Sequence, residues 1–312
     1  MKRPKHLFLP ILLSVFFFLI CGCRPKPSVL TKDSPTFLAQ DISELKGTNG
    51  KIVNQRLFKI KSSGEWLTDC YRIEYLSDRL RVVGFIIKPK RMDAKLPVIL
   101  FNRGGGLELG KITEENLKYL SSLSSKGYVL LASQYRGNDG GEGREEFGGK
   151  DVNDVMNLIP LAKSLPFVKA DRIGMLGFSR GGMMTYLAIK EGAPIKAAVV
   201  VGGLSDLTQF SQERGRNNLQ HVIRNLVGPD IEAYKKRSAY DWPEKIDVPV
   251  LILHGGVDRV VDMSQARKLG EKLGELGKVY ELVIFPEGDH GLNNLRDERD
   301  RKILEWFEKY LK

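Results

Sequence analysis

The 312-residue chain is 42% hydrophobic and 28% charged, which excludes a disordered or fibrous polymer and leaves an ordinary globular one. Its net charge of +11 is spread over Lys and Arg residues interleaved with acids along the whole length, so the expectation is a basic surface and no nucleic-acid partner. Three cysteines, Cys21, Cys23 and Cys70, are too few for a disulfide framework or a cysteine-built metal site, and Cys70 reads as a small buried residue of a strand.

Residues 2–5 are basic and residues 7–20 form a 14-residue apolar run containing Pro10. A membrane-spanning helix needs about 20 apolar residues, so this run reads as the core of a signal peptide over 1–22. The junction Ile20-Cys21-Gly22-Cys23 resembles the bacterial lipobox, with an aliphatic residue three before the modified cysteine and a small one just before it. That resemblance implies a lipid on Cys23 and a chain anchored to a membrane of the bacterial cell envelope. Arg24-Pro25-Lys26-Pro27-Ser28 opens a polar tether over 23–50.

From residue 51 to 312 the pattern predicts one domain. Antiparallel strands are expected over 56–62 and 70–88, then an apolar strand over 96–101 that runs into a Gly-rich loop. A helix over 113–126, a strand over 128–133 and a helix over 151–164 follow. The helix rests on Val152, Val155, Leu158, Ile159 and Ala162 at helical spacing. A strand over 172–176 leads to a tight turn and a helix over 183–191. Short apolar strands are expected over 197–201, 248–253 and 280–285, with helices over 263–276 and 297–311. Continuous apolar strands alternating with helices imply a mostly parallel sheet covered on both faces, an α/β fold of the α/β-hydrolase type. The polar, irregular stretch 204–245 reads as a small cap over the carboxyl edge of the sheet, where such folds bind ligands.

Gly177-Phe178-Ser179-Arg180-Gly181 sits between a predicted strand and a predicted helix, the setting in which G-x-S-x-G exposes a serine hydroxyl. A serine needs a base to take its proton. Of four histidines, His6 is in the leader, His221 in the expected cap, and His254 ends a buried strand, where it reads as a satisfied structural residue. His290 follows the last strand and is the candidate base. Asp258, after the penultimate strand, is the favoured orienting acid. Asp262 precedes a helical run and reads as its cap, and Asp289 is too near His290 in sequence to reach its ring from the usual side. Oxyanion donors are expected from the N–H of Arg180 and from Gly104 or Gly105 in the Arg103-Gly104-Gly105-Gly106 loop. The loop 137–143 is expected to border the pocket. No metal or cofactor is implied.

Together with Asp171-Arg172-Ile173-Gly174, Tyr135-Arg136-Gly137, His254-Gly255-Gly256-Val257-Asp258 and Gly288-Asp289-His290-Gly291, these motifs resemble the catalytic domain of the prolyl oligopeptidase family of serine peptidases over about residues 70–312. The resemblance implies Ser179, Asp258 and His290 as a triad. Two positions depart from it. Many members carry tyrosine where this chain has Arg180, and histidine or tyrosine where it has Arg103. The segment before residue 51 is also too short for the family's β-propeller. Arg103 and Tyr135 are expected near the substrate. An Arg103 or Arg180 side chain facing the cleft would favour a substrate carboxylate, and one turned away would lie in salt bridges. The expected substrate is a short peptide. A small ester is the alternative, since carboxylesterases share the triad, and a non-catalytic lipid-anchored binding protein is a third reading.

Overall fold

Alternation of large apolar residues with polar ones builds the first strands. The computed structural model describes residues 48–61, 67–212 and 218–312, all within the unit Phe37–Lys312. The leader 1–22, Cys23 and the tether to residue 47 lie outside the described residues. Strand β1 is Ile52–Leu57, earlier in the chain than the expected 56–62. In β2 (Thr68–Ser77), Tyr71, Ile73 and Tyr75 point inward. It turns into β3 (Leu80–Pro89) through Asp78 and Arg79, with φ of 51° and 67°. Two successive left-handed residues match the twist of the flanking strands, which is why two-residue hairpins use them.

The remaining strands are β4 (Leu96–Asn102), β5 (Val129–Ser133), β6 (Val168–Phe178), β7 (Ala197–Val201), β8 (Val250–Gly255) and β9 (Tyr280–Phe285). Their order in one sheet is β1-β2-β3-β5-β4-β6-β7-β8-β9, antiparallel up to β5 and parallel from β5 onward. Helices α1 (Glu114–Ser124) and α9 (Arg296–Leu311) cover one face with Leu117, Leu120, Ile303 and Phe307. The other face carries α2 (Val152–Met156), α3 (Leu158–Ser164), α4 (Arg180–Lys190) and α8 (Ser264–Glu275). Each large side chain buried this way contributes about 1.5–3 kcal/mol.

The single helix expected over 151–164 is broken at Asn157 into α2 and α3. Pro160 is the cause: it has no N–H to give the carbonyl of Met156, and its ring crowds that carbonyl.

The expected cap divides in two. Helices α5 (Leu207–Gln212) and α6 (Asn218–Val227) lie on the cleft side, where Leu219 of α6 lines the cleft. Helix α7 (Ile231–Lys235) and the turns up to Lys245 run back down the flank. Lys190 Nζ donates to Lys236 O at 3.0 Å, and Lys272 Nζ to Tyr240 O at 2.9 Å.

Candidate active site

Ser179 joins β6 to α4 at φ 55°, ψ −122°, a strained conformation for a non-glycine residue. Its surroundings hold it there. Ser179 N–H donates to Val201 O at 2.9 Å, and Gly181 lies so close to Asn102 O that a Cβ would overlap it. Asn102 Nδ2 donates to Thr185 Oγ1 at 2.8 Å, and that hydroxyl donates to Gly181 O at 2.8 Å. The turn is thereby tied to the end of β4 and to the body of α4.

Arg180 is the first residue of α4, so its N–H has no acceptor within the helix. Across from it, the backbone of Gly104 is close enough that a Cβ there would sit 3.2 Å from Ser179 Cβ and 3.8 Å from Oγ. Gly105 has φ 65°, and a Cβ would collide with Leu109 O, so this stretch of loop admits only glycine. The backbone of Gly104 and the first turn of α4 thus lie beside one hydroxyl.

His290 Nδ1 lies 2.8 Å from Asp258 Oδ2, and the two side chains are 25% and 0% exposed. A carboxylate only accepts, so Nδ1 is the donor of this pair, in a ring that lines the same cleft as Ser179. The other carboxylate oxygen, Oδ1, accepts from Val260 N at 2.8 Å and Val261 N at 3.0 Å. Burial works against the charge on Asp258. Hydrogen bonds from His254 and His290 and the backbone bond from Val261 outweigh it and hold the carboxyl well below its usual range.

His254 was not recognised from the sequence as part of this site. Its Nε2 is 3.0 Å from Val261 O and 3.2 Å from Asp258 Oδ2. The carbonyl can only accept, so Nε2 carries a hydrogen shared between the two. The spacing to Asp258, four residues within a tight Gly-Gly turn, was the available signal. The other acids do local work: Asp262 Oδ1 accepts from Ser264 N at the start of α8, and Asp289 Oδ1 accepts from Gly291 N and Asn293 N. His221 lies on the exposed side of α6.

Two expectations are corrected. The Tyr135 side chain is buried away from the cleft, whereas Arg103 borders it and takes the salt-bridged of the two alternatives read from the sequence. The Arg103 guanidinium, 1% exposed, donates to Gln134 O at 2.9 and 3.1 Å and pairs with Glu145 at 3.1 Å. Arg180 is turned inward as well, pairing with Glu145 and, at 2.6 Å, with Asp151, and donating to Gly105 O at 3.1 Å. The fully buried Tyr135 ring lies 4.8 Å from each guanidinium, and its hydroxyl donates to Arg103 O. Two guanidiniums and two carboxylates balance, so the lowest-cost place for both arginines is against the acids rather than alone in the cleft. Burial opposes the charge of Glu145, but Arg180 and Arg103 hold its carboxyl below the usual range. The loop 137–143 is also corrected: Arg72 holds Asp139 and Arg81 holds Glu142, which fastens it to the β2–β3 hairpin instead of the cleft wall.

The cleft beside Ser179 and His290 has a volume of about 570 Å³, within the range of small-molecule and short-peptide sites. Its floor is aromatic: Phe178 lies 5.9 Å from Phe101 and 6.0 Å edge-on from Tyr119. Among the described residues, no group of three or more His, Cys, Asp or Glu side chains could hold a metal ion.

Residues 115–312 match the model of the prolyl oligopeptidase family. The chain is 34% identical over 262 residues to a Bacillus subtilis (strain 168) protein described as the uncharacterized peptidase YtmA, covering 82% of this chain and 98% of that one. It is 28% identical over 290 residues to the peptidase YuxL of the same organism, covering 88% of this chain and 43% of that one. Among solved structures, the acylaminoacyl peptidase of Pyrococcus horikoshii superposes with a TM-score of 0.66 at 27% identity, over 77% of this chain and 41% of that one. The chain thus spans nearly all of one relative and under half of the longer ones. With this sheet, this nucleophile turn and these relatives, the chain belongs to the prolyl oligopeptidase family and is a serine hydrolase of the peptidase type.

Proposed function

We propose that Ser179, Asp258 and His290 are the catalytic triad and that the substrates are short peptides. The carrying observation is the His290–Asp258 pair, 2.8 Å apart, sharing a cleft with a serine held at positive φ. His290 Nε2 takes the proton of Ser179 Oγ as that oxygen attacks the substrate carbonyl. The Arg180 N–H and that of Gly104 or Gly105 stabilise the oxyanion, and His290 returns the proton to the departing amine. Water then cleaves the acyl-enzyme by the same steps in reverse. Asp258, acceptor of four hydrogen bonds, fixes the tautomer of His290 and stabilises the imidazolium. A small ester would react at the same serine, with a better leaving group. The test is Ser179→Ala: turnover of p-nitrophenyl esters and peptides and labelling by a fluorophosphonate probe should vanish while the melting curve is kept. Labelling that persists in this variant refutes the assignment.

We further propose that the mature chain begins at a lipidated Cys23 and is held at a membrane of the bacterial cell envelope. The lipobox-like junction supports this reading, and several acyl chains together give stable anchoring. Mass spectrometry of the mature N-terminus decides it, since an unmodified Cys23 or cleavage elsewhere excludes the anchor.

A further inference from the structure

With Arg103 and Arg180 turned into the core, a different arginine reaches the cleft. Arg296, the first residue of α9, lines it with a side chain 49% exposed. Its neighbour Arg299 is only 3% exposed and is spent on structure: it pairs with Asp300 at 2.8 Å and donates to Gly291 O at 2.7 Å. Asp300 also accepts from the hydroxyl of Tyr119 at 3.1 Å, and its contact with Arg296 is long, at 3.9 Å. Among the described residues, the one acid lining this cleft is Glu115, 74% exposed and 3.4 Å from Lys118. Among the described residues that line the cleft, Arg296 is therefore the arginine without a close acid partner.

The aromatic floor leads from the nucleophile to that cation. Phe178, adjacent to Ser179, lies 6.0 Å from Tyr119, and the Arg296 guanidinium lies 5.2 Å from the Tyr119 ring. Laid end to end, these two steps span about three extended residues at about 3.3–3.6 Å each. His290, Asn293 and Arg296 all line the cleft, at successive positions three residues apart in the chain. Because His290 hands its proton to the leaving amine, the leaving fragment must lie along these residues.

We infer that this wall is a subsite for the carboxyl-terminal end of a short peptide. An apolar or aromatic side chain rests on Phe101, Tyr119 and Phe178, and Arg296 reads the free terminal carboxylate. The inference rests on the triad proposed above and names the substrate class it serves. In the reaction, the C–N bond two or three residues from the C-terminus breaks as the Ser179 Oγ–acyl bond forms. The Ser179 proton passes through His290 to the departing amine, and a small carboxylate-bearing fragment leaves. Water then releases the acyl portion as a second carboxylate.

The experiment uses N-acetyl-Ala-Ala-Phe and N-acetyl-Ala-Ala-Phe-Ala, each as free acid and as C-terminal amide, with p-nitrophenyl acetate as a reporter of the nucleophile. For the full-length wild type, kcat/KM should favour the acid over the amide by about ten-fold, the low end of a charge-assisted bond because Arg296 is half-exposed. Arg296→Gln should bring that ratio to within about two-fold of unity, Arg296→Glu should invert it, and Arg296→Lys should keep part of it. A ratio near unity in the wild type, a ratio unmoved by Arg296→Gln, or ester turnover with neither peptide cleaved overturns the subsite while leaving the triad standing. Absence of both ester turnover and fluorophosphonate labelling in the folded wild type overturns the triad, and the subsite with it.

Discussion

Glu145→Gln tests how the oxyanion loop is held. The carboxylate of Glu145 is 1% exposed and pairs with both Arg103 and Arg180. It also accepts from Leu107 N at 3.1 Å and from Asn138 Nδ2 at 2.6 Å. Glutamine keeps the shape but turns one acceptor into an NH2 group facing a guanidinium, and Asp151 alone remains for two buried cations. Removing one partner of a buried ion pair costs about 3–5 kcal/mol, which for a domain of this size lowers Tm by roughly 6–15 °C. The loop bears Gly104 and Gly105, and loss of a single oxyanion donor costs about 10²–10³ in kcat. Loosening that loop rather than deleting a donor should cost about ten- to a hundred-fold, mainly in kcat. Thermal melts and p-nitrophenyl ester kinetics measure both effects. Arg103→Met added to Glu145→Gln should restore part of the stability, because the orphaned charge is gone, but not the activity, because Arg103 itself binds Gln134 O and Leu107 O. A Glu145→Gln protein within about 1 kcal/mol of wild type, with unchanged kcat, would refute the argument that these charges secure the loop.

Three further outcomes follow from the same geometry. His254→Phe removes a donor to Asp258 and should lower kcat by about ten-fold with little change in KM, with partial rescue by His254→Gln; an unchanged kcat in the folded Phe variant rules out this positioning role. Asp258 has its carboxyl lowered in the folded state, so its ionisation stabilises the fold fully above the ordinary carboxylate range and loses that effect as pH falls below about 4. The stability gap between wild type and Asp258→Asn should therefore shrink from pH 5 to 2.5, and a constant gap would show that the charge is not the source. Burial pushes the Cys70 thiol up to about 12, so peptide-resolved alkylation at pH 8 should find it protected in the native protein and reactive in denaturant; rapid native alkylation would contradict the packing.

Local pattern was enough for much of this protein. The apolar runs that became β4, β5, β7 and β8 are continuous because both faces of a parallel sheet are covered, and that signal is carried by neighbouring residues alone. That Ser179, Asp258 and His290 each follow a strand at the carboxyl edge could be read from the sequence, and only four histidines had to be sorted. Even the break at Asn157 was written in Pro160, although helical periodicity masked it. What sequence order does not contain is direction. A glycine-flanked arginine beside a nucleophile reads equally as a substrate ligand or as half of an ion pair. The choice depends on Glu145 and Asp151, which only folding brings to Arg103 and Arg180. Arg296 had no local signal, since it opens a helix distant in sequence from Ser179, and only the packing of α9 against α1 and β6 carries it to the cleft. His254 joined Asp258 for the same reason: the Gly-Gly turn after β8 folds the carboxylate back over the strand that bears the imidazole. Backbone preference and burial are local and can be read along the chain. The pairing of charges is settled by which partners share a desolvated site, and that is a property of the tertiary structure.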